Sequence, residues 1–115
     1  MALKVNTRKV ANVAIIDIKG DIALGKHSGE LRDTVRELLL DGHKKILLNM
    51  AEVDYVDSSG LAELVSSMTS AGSRGGALKL LRIQKKVRDA LRLTRIDSVF
   101  QIFNDESDAL RSFEG

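Results

Sequence analysis

The segment from residue 46 to residue 81 constrains the fold most, because it has the pattern of a strand, a helix and a second strand. Ile46 to Leu48 is a short apolar run, too brief for a helix and typical of a covered strand. Ala77 to Leu81 is a second such run, preceded by the breakers Gly75 and Gly76. A helix is predicted between the two runs from apolar residues at helical spacing: Leu61, Leu64, Val65 and Met68. The crossover in such a unit is right-handed in nearly every known case, so the sheet is predicted to contain parallel neighbouring strands.

The N-terminal part of the chain adds a hairpin to this sheet. Val13 to Ile18 is apolar apart from Asp17 and rich in β-branched residues, and the breaker Gly20-Asp21 is expected to end it as a strand. Leu3 to Val10 alternates more weakly and is predicted to be its partner strand, with Ala11-Asn12 as the turn between them. The sheet is therefore predicted to have an antiparallel N-terminal edge.

Three further helices and a last strand complete the predicted domain. From Ser28 to near Gly42, one helix is indicated by a single apolar stripe: Leu31, Val35, Leu38 and Leu39. Lys85 to Leu93 and Asp108 to Phe113 are predicted helices, and Val99 to Phe103 is a predicted strand. No linker or repeat divides the chain, so all 115 residues are predicted to form one α/β domain. Its mixed sheet of four or five strands has a parallel core and is flanked by about four helices.

The composition fits a compact domain. Hydrophobic residues make up 43% of the chain and charged residues 30%, with a net charge of +2, which argues against disorder. There is no cysteine, so the chain offers no thiol nucleophile and no thiolate metal site. Its apolar runs are too short for a membrane span, and we expect a cytoplasmic protein that does not bind membranes. With one Tyr and three Phe, it lacks the stacking platforms of single-strand binders, and no direct nucleic-acid contact is predicted.

Two hydroxyls and a carboxylate lie together at the start of the central helix, in the sequence Asp57-Ser58-Ser59-Gly60-Leu61. Ala51 to Asp57 is predicted to be the linker that leads from the strand into this turn. Loops after parallel strands converge at the carboxyl edge of an open α/β sheet, where ligand and partner sites gather. Asp and Ser are also the favoured N-cap residues, so helix capping alone is the competing explanation. Ala62 stands where a capping box that starts at Ser59 requires Glu or Gln, so a hydroxyl can be left for another role.

The segment Val56-Asp57-Ser58-Ser59-Gly60-Leu61 resembles the phosphorylation-site motif of bacterial anti-sigma-factor antagonists in the STAS family. The resemblance covers nearly the whole chain. It extends to several further segments: Val13 to Gly20, Ile46 to Asn49 with Asp54 after it, Gly75-Gly76 before a strand, and Val87 to Leu93. It implies a small regulatory domain that binds partner proteins and is not an enzyme.

The resemblance further implies a partner-switching cycle that is controlled at Ser58. In the family, the first hydroxyl after the Asp is phosphorylated by a serine kinase that is also the anti-sigma factor. This pattern assigns the phosphate to Ser58 and the helix cap to Ser59. The unmodified protein would bind the kinase and free a sigma factor, the phosphorylated protein would let go, and a phosphatase would reset the cycle. The implied partner surface combines the loop Asp21 to His27 with the residues around the turn: Asp21, Asp57, Ser59, Gly60, Leu61 and Glu63.

The chain departs from the family pattern at three positions. Ala23 stands where the family often has a polar or acidic residue near the phosphorylation site, so the resemblance does not fix the partner. Arg95 occupies a position where glycine commonly closes the helix, and Ala62 a position that is often glycine. Stressosome scaffold proteins and lipid-transport subunits also use STAS domains. A non-switching subunit of such a complex, with Ser58 only as a cap, is therefore the alternative function.

Other chemistries find little support in the sequence. A serine hydrolase needs a base beside its nucleophile, but His27 and His43 lie in or beside loops, and no G-x-S-x-G elbow is present. Two isolated histidines also make a poor metal set, so neither a metal nor a cofactor is predicted. Ser73 to Gly76 lacks the phosphate-loop pattern and indicates a turn. The basic stretch after residue 81 is interrupted by Asp89 and indicates a solvated helix face.

Overall fold

Strands and helices alternate along the chain after an N-terminal hairpin. The computed structural model describes residues 3–25 and 27–114. In these ranges the strands are β1 (Lys4–Val10), β2 (Val13–Ile22), β3 (Lys45–Val56), β4 (Ala77–Leu81) and β5 (Ile102–Phe103). The helices are α1 (Glu30–Leu40), α2 (Ser58–Ser73), α3 (Lys85–Leu93) and α4 (Glu106–Ser112), with a 3₁₀ turn at Asp97–Val99. None of the described helices combines the length and the apolar character that a membrane crossing requires.

The sheet is mixed, as the sequence predicts. Its strand order is β1-β2-β3-β4-β5; β1 runs antiparallel to β2, and every later pair of neighbours is parallel. In the predicted turn of the hairpin, Ala11 and Asn12 both have left-handed backbone, with φ of 51° and 67°. Two successive residues with positive φ are what a type I′ hairpin turn requires. The predicted α/β class, the parallel core and the antiparallel N-terminal edge are confirmed.

The two central strands are longer than predicted. Gly20-Asp21 does not end β2, which continues to Ile22 through irregular pairing with β3. Gly20 has a φ of 105°, which favours glycine, so it bends the strand without ending it. Residues 51–56, predicted as a linker, form the second half of β3, where Tyr55 pairs with Asp21. The linker prediction was wrong because polar residues on a partly exposed strand resemble a loop in the sequence.

The remaining differences lie at the ends of elements. β5 is limited to Ile102–Phe103, because the 3₁₀ turn takes up Asp97–Val99, where the sequence pattern had predicted the start of the strand. α4 begins at Glu106, earlier than predicted. Its start is fixed by Asp105, whose carboxylate accepts a hydrogen bond from the amide of Asp108 at 3.0 Å. α3 spans the predicted residues.

The sheet is covered unequally on its two faces. α1, α2 and α3 pack over the larger cluster, which we name the main core and which includes Ile16, Leu48, Leu64 and Leu80. α4 covers a smaller cluster on the opposite face, which we name the back core: Val13, Ile15, Leu47, Leu81, Ala109 and Phe113. Burial on both faces removes the alternation of polar and apolar residues, which explains the unbroken apolar start of β2. The main core carries α2 and therefore positions the turn that precedes it.

Candidate functional site

The hydroxyl pair lies in the first turn of α2, directly after β3. Asp57 is the N-cap of this helix: its Oδ1 accepts a hydrogen bond from the amide of Gly60 at 2.9 Å. The resemblance assigned the cap to Ser59, and this assignment is wrong, because Ser59 is already inside the helix. Among the residues that the structure describes, neither serine hydroxyl makes a hydrogen bond. Both hydroxyls are therefore available for chemistry.

The carboxylate of Asp57 also holds the loop that follows β2. Its Oδ2 accepts a hydrogen bond from the amide of Leu24 at 3.0 Å. These two bonds, with the Gly60 amide contributing most, keep the pKa of Asp57 below its usual range. The resemblance placed the loop Asp21 to His27 near the turn, and Leu24 of this loop is bonded to it; Lys26 lies outside the residues that the structure describes.

Gly60 lets α2 approach β2 closely. A Cβ atom at this position would lie 1.8 Å from the carbonyl oxygen of Ile22, the last residue of β2. The same carbonyl accepts a hydrogen bond from the amide of Asp57 at 3.3 Å. Any side chain at position 60 would therefore push the helix start away from the sheet. Gly60 is buried, so its part in the site is to set the position of the turn.

The two serines line different depressions on the surface. Ser58 is exposed and borders a groove between α2 and the end of α3, which we name the apolar groove. Its lining is Ser58, Leu61, Ala62, Val65, Ser66, Thr94 and Ile96, around a volume of about 440 Å³. Ser59 borders a crevice between α2 and α1, which we name the polar crevice. Its lining is Ser28, Gly29, Arg32, Ser59, Ala62, Glu63 and Ser66, around about 350 Å³.

Glu63 is engaged inside the protein. It is 8% exposed, and its carboxylate accepts hydrogen bonds from the amides of Arg32 at 2.9 Å and Gly29 at 3.4 Å. Glu63 thus satisfies free amides at the start of α1, where Gly29 provides no side-chain cap. The carboxylate joins the starts of two helices, and a role in partner binding would be exerted through that link.

The remaining predicted contact residues differ in exposure. Asp21 lies near the end of β2 and pairs with Tyr55 of β3, on the same edge of the sheet as the turn. Leu61 is 8% exposed and belongs to the main core. Sequence reasoning did not single out Leu24 and Tyr55, which are 75% and 53% exposed near the turn. Their signal was present in the sequence as apolar or aromatic residues in segments predicted to be loops.

The histidines do not reach the hydroxyl pair by any described contact. The Nδ1 atom of His27 lies 3.0 Å from a carboxylate oxygen of Glu30, at the start of α1. The described residues contain no cluster of three or more His, Cys, Asp or Glu side chains that could hold a metal ion. What this turn offers is therefore two free hydroxyls beside one fixed carboxylate.

The fold and this turn define a small α/β domain that presents hydroxyls at the start of a helix on the carboxyl edge of its sheet. The family model of the STAS domain matches residues 4–109. The chain therefore belongs to the STAS domain family, as the sequence motif indicated.

Similar proteins agree with this membership. A protein of Thermotoga neapolitana that carries the name of an anti-sigma factor antagonist is 33% identical over 79 residues, which is 69% of this chain and 70% of that protein. The crystal structure of a Thermotoga maritima protein with the same designation has a TM-score of 0.88 at 26% identity, covering 96% of this chain and 95% of that one. The phosphorylated form of the Bacillus cell fate determinant SpoIIAA shares the fold, with a TM-score of 0.71 at 18% identity over 96% and 98% of the two chains.

Proposed function

We propose that this protein is an anti-sigma factor antagonist that switches partners when Ser58 is phosphorylated. The observation that carries the proposal is the exposed Ser58 hydroxyl, free of hydrogen bonds to the described residues, in the first turn of α2. The names of the Thermotoga relatives support the antagonist role. In the proposed cycle the unmodified protein binds an anti-sigma factor that is also a serine kinase, the phosphorylated protein releases it, and a phosphatase resets the cycle.

The position of Ser58 suits a phosphate without loss of the fold. A phosphoserine adds about −1.5 to −2 charge, and the first turn of a helix favours negative charge. Ser58 is exposed, so the added group displaces no buried neighbour. The effect of phosphorylation must then act at the partner interface, through bulk and through the desolvation of a dianion. A hundredfold loss of affinity requires about 2.7 kcal/mol, which one dianion in a contact surface can supply.

The surface around Ser58 suits a protein partner. Leu24 and Tyr55 expose apolar and aromatic surface near the turn, and Ser58 itself borders the apolar groove. Aromatic and apolar residues that stand exposed together are common at the centre of protein interfaces. Gly60, Leu61 and Glu63 would act from beneath this surface, by holding its backbone. We infer a binding module and not an enzyme, because both carboxylate oxygens of Asp57 accept backbone hydrogen bonds and no described contact brings a histidine to the hydroxyls.

The first test is site mapping on the protein purified from its own host. The expected result is an added mass of about 80 Da on Ser58, lost in Ser58→Ala. Ser59→Ala is the matched control, because it removes the adjacent hydroxyl from the same turn. The Ser58→Ala protein, which cannot be phosphorylated at position 58, is expected to retain the kinase on an affinity column when wild-type protein releases it after ATP is added.

If Ser58 stays unmodified during growth and stress, and also when candidate host kinases and ATP are added, the proposed phosphorylation switch is wrong. The alternative, a non-switching STAS subunit of a scaffold or lipid-transport complex, would then replace it. Neighbouring genes would support one or the other: a small serine-kinase reading frame for the switch, or transporter components for the subunit.

A further inference from the structure

The polar crevice contains chemistry that the proposed function does not use. Arg32, on α1, is exposed, and its guanidinium forms no ion pair with any residue in the described ranges. Ser59 faces the same crevice with a hydroxyl that also lacks a described partner, and the hydroxyl-bearing residues Ser28 and Ser66 complete the polar lining. The crevice therefore combines one unpaired cation with several hydroxyl groups.

The carboxylate in the crevice does not neutralise this cation. Glu63 accepts hydrogen bonds from the backbone amides of Arg32 and Gly29, at 2.9 and 3.4 Å, and no described ion pair joins its carboxylate to the Arg32 guanidinium. The Arg32 guanidinium has no ion-pair partner among the described residues, so it remains available to bind an anion. A guanidinium with neighbouring hydroxyls is the donor set that a phosphoryl group prefers, since the planar fork can bind two of its oxygens.

We propose that the polar crevice is a phosphate-binding site, and that Ser59 is a second phosphoacceptor whose phosphoryl group is held by Arg32. In the transfer, the Ser59 oxygen bonds to the γ-phosphorus of a nucleoside triphosphate supplied by a protein kinase. The bond from that phosphorus to the nucleoside diphosphate breaks, the diphosphate keeps the electron pair, and the hydroxyl proton leaves to solvent. This proposal goes beyond the assignment of Ser58 and does not depend on it.

Adjacent serines would then act on different surfaces. A phosphate on Ser58 borders the apolar groove between α2 and α3, whereas a phosphate on Ser59 lies between α2 and α1 and pairs with Arg32. The second modification adds an ion pair between two helices that already meet through Glu63. It would fasten the start of α1 to α2.

The test installs phosphoserine genetically at position 59 and, in a separate protein, at position 58. The second pKa of each phosphate, ordinarily about 6, is measured by phosphorus NMR titration. The expected result is a value at position 59 lower than at position 58 by about half a unit or more, because a paired cation favours the dianion. Arg32→Gln is expected to abolish this difference. Arg36→Gln, which removes the same charge one turn further along α1, is expected to leave it in place.

The proposal fails if Arg32→Gln changes the titration at position 59 no more than Arg36→Gln does, or if phosphoserine at 59 unfolds the domain. The acceptor role is tested separately by mapping host-purified Ser58→Ala protein, where 80 Da on Ser59 is expected for phosphorylation. An unmodified Ser59 under growth, stress and added kinases overturns the acceptor assignment. Because the phosphates in the titration are built in during translation, its result is independent of whether the host phosphorylates Ser58.

Discussion

Gly60 controls the site because its lack of a side chain lets the Ile22 carbonyl approach the start of α2. The Cβ of an alanine there would lie 1.8 Å from the Ile22 carbonyl oxygen, a distance that real contacts do not tolerate. We expect Gly60→Ala to lower the free energy of unfolding by about 2–3 kcal/mol, because overpacking forces backbone to move. Urea unfolding monitored by circular dichroism measures the change.

Gly72 provides the matched control within the same helix. A Cβ at Gly72 would meet nothing within 4 Å, so Gly72→Ala is expected to stabilise the domain by up to about 1 kcal/mol through helix propensity. If Gly60→Ala changed the free energy of unfolding in the same direction and by the same amount as Gly72→Ala, the close approach of α2 to β2 would not limit the residue at position 60.

The identity of the helix cap shows what the sequence could not decide at this scale. Asp57, Ser58 and Ser59 are all good capping residues, so local propensity left three candidates. The choice depends on where β3 ends, and β3 continues to Val56, further than its apolar pattern indicated. The hydroxyl pair itself, and its place at the start of a helix, were predicted correctly from residue types and spacing.

At the scale of elements, one ion network joins β1, β2 and α4. The guanidinium of Arg8 contacts a carboxylate oxygen of Asp17 at 2.7 Å and one of Glu106 at 2.6 Å. Asp17 also accepts a hydrogen bond from the side-chain amide of Asn49 at 2.8 Å. Hydrogen bonds from Arg8 are the main cause that lowers the pKa of both carboxyls. The side chains are 28–38% exposed, so solvent screens the network.

This network predicts a dependence of stability on pH. Carboxyls with lowered folded pKa stabilise the protein above their unfolded values, about 3.9 for Asp and 4.3 for Glu. The contribution is lost as the pH falls through the lower folded values. We expect Arg8→Met to lower the free energy of unfolding at pH 7 by up to about 1 kcal/mol. As the pH falls, the free energy of unfolding of this variant should decrease less steeply than that of the wild-type protein. Urea midpoints between neutral and acid pH measure both.

Lys9→Met is the control for this prediction, because Lys9 is the exposed neighbour of Arg8 in β1 and forms no ion pair with a described residue. Equal acid profiles for the two variants would show that the network does not set the decline.

The sequence predicted the types of the helices and strands better than the residues at which they begin and end. The strand, helix, strand unit was correct because its apolar runs and helical spacing are local signals. The second half of β3 was missed because its order comes from pairing with β2, where Tyr55 lies opposite Asp21. β5 was predicted too long because Val99 is apolar, like the strand residues after it, but belongs to a 3₁₀ turn. Apolar character alone does not distinguish such a turn from a strand.

At the scale of the whole molecule, the two cores differ in how strongly they hold their helices. α4 is the short helix over the small back core. Lys79 of β4 holds its end: the buried ammonium donates to the carbonyl and the hydroxyl of Ser112 at 2.9 and 3.0 Å and lies 4.4 Å from the centre of the Phe113 ring. Burial lowers the pKa of Lys79. Although Lys79 fastens its end, α4 is short and rests on the smaller core, so we expect it to be the helix that opens first.

Hydrogen exchange tests this order of opening. Amides of α4 are expected to exchange with a lower free energy than those of α2. Lys79→Met should lower the value for α4 by a further 1–2 kcal/mol or so, since it removes hydrogen bonds from a charged donor, and should leave α2 unchanged. Lys85→Met, which removes an exposed cation that pairs with Asp89 on α3, serves as the control. A uniform change in all helices would contradict a separate opening of α4.

The global architecture was the part most accessible from sequence. The mixed sheet, its edge and its helices followed from periodicity, and the family motif matched the segment that forms the turn. The distribution of Ser58 and Ser59 between two depressions was not accessible, because it depends on where α1 and α3 pack against α2. Those positions depend on packing between helices that are distant in the sequence and on the Glu63 carboxylate, which accepts hydrogen bonds from amides more than 30 residues away.

The two hydrogen bonds that the Asp57 carboxylate accepts affect how fast and how tightly a partner can associate. One carboxylate fixes both the helix start and the loop at Leu24, so the surface around Ser58 is preorganised before any encounter. Such a surface loses little conformational entropy on association and needs no slow rearrangement first. Differences in affinity between its partners, or between its modified forms, would then be expressed mainly in how quickly the complexes dissociate.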